Sequence, residues 1–218
     1  MSPGEPLIRW EWIANHLGDI AHRLGEHLVL TGLAVGIGLL ISLFLGIAAA
    51  RLPRLYGPVT WVTGVLYTIP SLALFALLIP WTGLSILTAE IGLVSYTLLI
   101  LVRNVVAGLQ AVPAEARDAA FGMGYTRGQV LWRVELPLAM GVIVAGVRVA
   151  TITTIGLVTV TALIGQGGLG FFILQGIQSF FSTPLIVGAG LSVVLAVLVD
   201  FGLVRLERLL TPWAQARR

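Results

Sequence analysis

The chain has 218 residues, 57% hydrophobic and 11% charged, with a mean hydropathy of +0.98; soluble domains carry about 25% charged residues, so lipid is its expected solvent. It has no cysteine, and all 13 basic residues are arginine, which excludes disulfides, thiolate metal sites, Schiff-base lysines and the phosphate-gripping lysine of an ATP-binding P-loop. The net charge of +3 and a pI near 10 read as a topology signal at one membrane face and not as affinity for nucleic acid.

The first 27 residues are polar, with Glu5, Glu11, Asp19 and Glu26, and lack the apolar run of a cleavable signal peptide. His16, His22 and His27 lie six and five residues apart, not at the i, i+4 spacing of a helical metal pair, so no metal site is expected. Five segments are then long and apolar enough to span a bilayer. They are Leu28 to Ala50, Val59 to Ile79 with an interruption at Pro70, Ile91 to Leu109, a stretch between Leu138 and Ile164, and Leu185 to Val204. A further re-entrant or interfacial helix fits within Ile8–Glu26 or Gly168–Phe181. Gly32, Gly36 and Gly46 in the first span suit close helix approach in a membrane.

Arginines order these spans. Arg51 and Arg54 follow the first, Arg117, Arg127 and Arg133 separate the third from the fourth, and Arg205, Arg208, Arg217 and Arg218 follow the fifth. Five spans put all three groups on one side, which the positive-inside rule makes cytoplasmic, with the N-terminus outside. The expected organisation is an extracytoplasmic polar segment over 1–27, a transmembrane domain over 28–206 and a cytoplasmic tail over 207–218.

Charges inside spans are functional candidates by default. Arg103, Arg148 and Asp200 all lie toward the arginine-rich side, where they fit a structural anchor, an Arg–Asp pair between helices, or a pathway role. Thr151, Thr154 and Thr161 share a face of the fourth span. Together with Asn104 and Tyr67 they are candidates for a translocation pathway, or the threonines bond their own backbone carbonyls. Gly165, Gly167 and Gly170 satisfy G-x-G-x-x-G, but without a βαβ unit and a well-spaced acid; a turn or gate is the better expectation.

The stretch from Gln110 to Pro137 is too long for a plain connector. Pro113 can open a helix, with Glu115 and Asp118 in its early turns, where the dipole favours acids. Gly122 and Gly124 break it. Val130, Leu131 and Val134 mark a second short helix, and Pro137 is expected to end it and open the next span.

Asp118-Ala119-Ala120, three residues, Gly124, nine residues, and Val134-Glu135-Leu136-Pro137 resemble the EAA loop of ABC importer permeases, with Asp118 in place of the family glutamate and Val134 in place of isoleucine. The resemblance implies an all-α integral membrane protein of about five transmembrane helices with the MetI-like fold. It implies a loop that docks a separate ATPase through Asp118, Ala119, Ala120, Gly124, Leu136 and Pro137. Thr68–Leu74, Gly122–Gly124, Val134–Ala139 and Ala162–Gly170 further resemble the osmoprotectant subfamily, which carries glycine betaine, choline and carnitine. On that resemblance the chain is a non-enzymatic permease of the bacterial inner membrane, with ATP and magnesium on partner ATPase subunits and no cofactor of its own. A second permease copy or paralogue, a substrate-binding protein and membrane lipid complete its expected partners. A methionine or other amino-acid importer permease is the alternative within the family, and a secondary transporter the alternative outside it.

Overall fold

The computed structural model describes residues 6–211, and every regular element among them is helical. In chain order these are α1 (Trp10–Asn15), α2 (Leu17–Arg51), α3 (Pro53–Thr68), α4 (Ser71–Thr82), α5 (Ile86–Gln110), α6 (Ala114–Gly122), α7 (Arg127–Val130), α8 (Leu136–Val160), α9 (Gly170–Gln178) and α10 (Ser182–Leu210). α2, α5, α10 and the continuous run Arg127–Ile164 containing α8 are long and apolar enough to cross a bilayer. The α3–α4 pair makes a fifth crossing if the two are taken as one broken span.

No proline interrupts residues 17–51, and the expected division at residue 27 falls inside α2. Polar and apolar stretches form one helix because its outer turns have something to pack against. His27 is buried, with Nε2 3.1 Å from the Ile155 carbonyl oxygen. The interruption at Pro70 is a 97° bend between α3 and α4. Proline there cannot donate to the preceding turn, and the Tyr96 hydroxyl donates to the Ile69 carbonyl at the bend. The further short helix expected in one of two regions is present in both, as α1 running into α2 and as α9. Glu207 belongs to α10; Arg217 and Arg218 lie outside the described residues.

α5 is the central helix, packed by α2 and α8. Along α2 every fourth residue on the buried face is small: Ala34, Gly38, Ser42, Gly46. A Cβ on Gly38 would overlap Thr97, and one on Gly46 would overlap Val105, so the two helices run parallel in close contact. This is small-residue packing of the kind that replaces the hydrophobic effect in lipid. Gly32 and Gly36, expected to serve that purpose, lie on the exposed face with nothing within 4 Å of a Cβ. α8 runs antiparallel to α5; a Cβ on Gly108 would lie 3.0 Å from the Ala139 carbonyl oxygen, and one on Gly146 would lie 2.6 Å from Asn104 Cγ.

Arg148 pairs with Asp200 of α10 at 2.9 Å and reaches Glu207 at 3.4 Å. Both Nε and Nη2 point at the Asp200 carboxylate, a fork that lysine lacks. Arg148→Lys should therefore lower stability by about 0.5 kcal/mol, and Arg148→Ala by about 1–2 kcal/mol, because it leaves two partly exposed carboxylates of α10 without their partner. Thermal unfolding in lipid nanodiscs checks the order.

Candidate functional site

Residues 111–137 form a compact unit at the arginine-rich end. Pro113 caps α6 with extended ψ (140°), so the chain leaves α5 and restarts within three residues. α6 ends in a Schellman motif: the Gly124 N–H donates to the Phe121 carbonyl at 2.9 Å and the Tyr125 N–H to the Ala120 carbonyl at 3.1 Å. Gly124 has φ +82°, a left-handed conformation that glycine adopts without a Cβ penalty. Thr126 then opens α7 with a capping box, accepting from the Gln129 N–H and donating its own N–H to Gln129 Oε1 at 2.8 Å.

Pro137 opens the next span as expected, in the first turn of α8, but it does not end the second helix. Residues Leu131–Glu135 form a π-turn that runs straight into α8. Proline at 137 lacks an N–H and would clash with the Arg133 carbonyl in a regular α-helix; widening the preceding turn relieves both.

The same wide turn directs Glu135 inward, where it is 3% exposed. Its carboxylate accepts from Arg51 at the end of α2 and from Arg117 Nε of α6 at 2.8 Å. Arg117 Nη2 also donates to the Leu109 carbonyl at 2.6 Å. One carboxylate thus ties α2, α5, α6 and α8 together. A cavity of about 330 Å³ lies beside it, lined by Ala50, Arg51, Leu109, Gln110, Arg117 and Glu135.

The six expected docking residues divide into two sets. Asp118, Ala119 and Gly124 are exposed, alongside Phe121 and Met123. Ala120 is buried, Leu136 packs in a core cluster with Val105, Leu109 and Ala139, and Pro137 is half-buried. Asp118 and Ala119 present a surface, Gly124 shapes the turn that follows it, and the second set fixes it to the membrane domain. Glu135, Arg51, Arg117, Phe121 and Met123 were not singled out from sequence. Glu135 stands at a position of the motif with no assigned role, and Arg51 and Arg117 read as topology signals; a lone acid between Val134 and Leu136 is the available signal.

The pathway candidates are engaged separately within the helix packing. Thr151, Thr154 and Thr161 are buried and donate to the Val147, Ala150 and Val158 carbonyls at 2.7–2.8 Å. Asn104 donates to the Ile100 carbonyl at 2.8 Å. Tyr67 packs edge-on against Tyr96. The three histidines are separately engaged, His16 with the Trp12 carbonyl, His22 with Glu26 and His27 with Ile155.

The model of the family "binding-protein-dependent transport system inner membrane component" matches residues 38–212. The chain belongs to that family: it is a multi-pass inner-membrane permease of an ABC importer and not itself an enzyme. Membership implies an ATPase and a substrate-binding protein as partners. The osmoprotectant import permease OsmW of Salmonella typhimurium is 38% identical over 206 residues, covering 92% of this chain and 96% of that one. The glycine betaine/carnitine/choline permease OpuCB of Bacillus subtilis is 34% identical, covering 89% and 90%. An inward-facing structure of the MetNI methionine transporter shares the fold, with a TM-score of 0.81 at 24% identity over 90% of this chain and 98% of that one.

Proposed function

We propose that this chain is the permease of an ATP-driven importer of quaternary ammonium osmoprotectants such as glycine betaine, choline and carnitine. The observation that carries the reading is similarity at 33–38% identity over most of the chain to permeases of that substrate class. The likeness to the methionine transporter is at the level of fold. On this reading the arginine-rich end is cytoplasmic, the N-terminus lies outside, and two permease copies, identical or related, pair across a two-fold axis. Asp118, Ala119, Phe121 and Met123 contact the ATPase, while Ala120, Gly124, Leu136 and Pro137 hold their shape. ATP-driven closure of the ATPases moves each loop as a rigid body and switches the access of the spans. Thr151, Thr154, Thr161, Asn104 and Tyr67 border the pathway as helix-packing groups.

The test is uptake of radiolabelled glycine betaine and choline into proteoliposomes holding the permease, its ATPase and its binding protein, with methionine as competitor. Uptake should require ATP and ignore methionine. Methionine uptake would replace the solute class, and uptake without ATP would sink the importer reading. In the same assay Gly124→Val should abolish uptake, because a β-branched residue is barred from φ +82° and the turn that presents α6 must rearrange at a cost of about 2 kcal/mol.

A further inference from the structure

Buried polar atoms in a folded chain almost always have partners, and in a membrane interior an ionisable side chain without one is a functional candidate. Glu90 of α5 is 8% exposed, and neither carboxylate oxygen has a hydrogen-bond partner. Thr31 of α2 is equally buried, and its hydroxyl is also unpartnered. That is unusual here, since Thr63, Thr97, Thr151, Thr154 and Thr161 all donate to a carbonyl of their own helix.

The two residues occupy matching positions. Gly38 of α2 packs on Thr97 of α5, and Gly46 on Val105. Seven residues is close to two helical turns. Stepping seven residues from Gly38 and from Thr97, toward the end opposite the arginines, gives Thr31 and Glu90 on the same contact line. The chain neighbours of Glu90 there, Ala89, Leu93 and Val94, belong to an apolar cluster with Leu30, Ala34, Phe75, Val158 and Ile164.

Among the described residues no hydrogen bond or ion pair reaches the Glu90 carboxylate. α4 has no titratable residue, and the only one in α8, Arg148, is held by Asp200 and Glu207. The Thr161–Gly170 segment has none. On α2, His27 is turned to Ile155, and Arg23 is occupied by Glu26 at 2.9 Å and by the Phe171 ring at 4.1 Å. On α5, Tyr96 is bonded to Ile69, and Arg103 lies nearly four turns away. A cavity of about 370 Å³ opens at this end, lined by Leu30, next to Thr31, by Ile86, one turn before Glu90, and by His22, Arg23 and Glu26, where Glu26 holds His22 at 3.2 Å and Arg23 at 2.9 Å.

We propose that Glu90, with the Thr31 hydroxyl, is a cation site loaded through this cavity with a proton or a small monovalent cation. An ionised carboxylate stripped of water in an apolar cluster is strongly destabilising unless something neutralises it, and on the cavity side Arg23 and His22 are both already held by Glu26, which leaves a cation from solvent to supply the charge. A proton would sit on a Glu90 oxygen; a metal ion would be held by that carboxylate and Thr31 Oγ1. The inference stands whichever solute the importer carries.

Infrared difference spectroscopy of the assembled transporter in proteoliposomes tests it, with pH stepped and sodium, potassium or the bulky N-methylglucamine cation exchanged at constant ionic strength. A protonated carboxylic C=O band that is lost in Glu90→Gln and shifted in Thr31→Val assigns a proton. A carboxylate band that shifts with sodium or potassium but not with N-methylglucamine, and is lost in Glu90→Gln, assigns a metal ion. Thr31→Val leaves the carboxylate in place and supplies the readout should Glu90→Gln fail to assemble. The proposal is overturned if the wild-type spectrum contains neither a protonated carboxylic band nor a cation-sensitive carboxylate band, or if either band survives unchanged in Glu90→Gln.

Discussion

Replacing Glu135 with alanine should leave ATP hydrolysis running in the assembled transporter while uptake per ATP falls about 30-fold, the loss of roughly 2 kcal/mol of coupling. Glu135 is the joint through which α6 is tied to the membrane domain, with Arg117 on the loop, Arg51 at the end of α2 and Glu135 at the root of α8. Without the carboxylate, two guanidinium groups face each other across the cavity beside them, and α6 keeps its contact with the spans through Ala120 and the Leu109 carbonyl. A push on the loop is then absorbed by the loop. Stability should fall as well, by about 3 kcal/mol, since removing one partner from a buried ionic group leaves the others uncompensated. Glu135→Gln keeps the shape and one acceptor and should sit between wild type and alanine. Asp118→Ala is the informative contrast. Its side chain is exposed, so it should weaken ATPase binding without shifting the thermal midpoint. Paired measurements of ATP turnover, uptake and unfolding separate the two roles.

Gly168→Val should destabilise the membrane domain by about 4 kcal/mol, a large part of the stability of an ordinary domain. Two costs add there. Gly168 has φ +44°, where a β-branched residue is strained, and a Cβ would lie 2.6 Å from the Arg23 carbonyl oxygen and 2.7 Å from the His27 backbone nitrogen. The overlap is with backbone, so no rotamer change relieves it, and α2 must separate from the Gly165–Gly170 segment. Gly165→Val is the matched control. Its φ is +78°, but nothing lies within 4 Å of its Cβ, so only the conformational cost of about 1–2 kcal/mol remains. Equal losses in the two variants would mean that close backbone contact at Gly168 contributes nothing. The glycines of this segment therefore read as a packed knot between α2 and α8. Gly167 and Gly170 add to it, the first against the Ala162 backbone and the second against that of Thr159.

Periodicity and hydropathy made the spans legible because both are local. Leu28–Ala50, Ile91–Leu109 and Leu185–Val204 each lie inside an observed helix, and Pro70 marks the observed bend. Helix ends were less legible. Residues 17–27 look like a separate polar segment, yet they continue α2 because Gly168 and Ile155, more than a hundred residues away, supply their contacts. Pro137 looks like a stop but lies within a helix, because a π-turn is a tertiary accommodation that composition does not announce. In the site, Gly124 was readable from its spacing to Asp118 and Pro137. Glu135 was not, because its importance comes from two arginines that meet it only after α2, α6 and α8 are assembled. The Arg148–Asp200 pair was one of several open readings, and only the packing of α8 on α10 selects it.

α2 has 35 residues without a break, a rod of about 52 Å against a hydrocarbon layer of about 30 Å. One end is gripped by Glu135 through Arg51, and the other passes beneath Gly168 at Arg23 and His27. A stiff rod held at both ends cannot absorb displacement by bending locally. Tilting it by 10° about the Arg51 end would sweep the far end through roughly 9 Å. A rotation imposed at the arginine-rich end is therefore magnified into displacement at the opposite end, and a load applied there is returned to the loop with the same mechanical advantage.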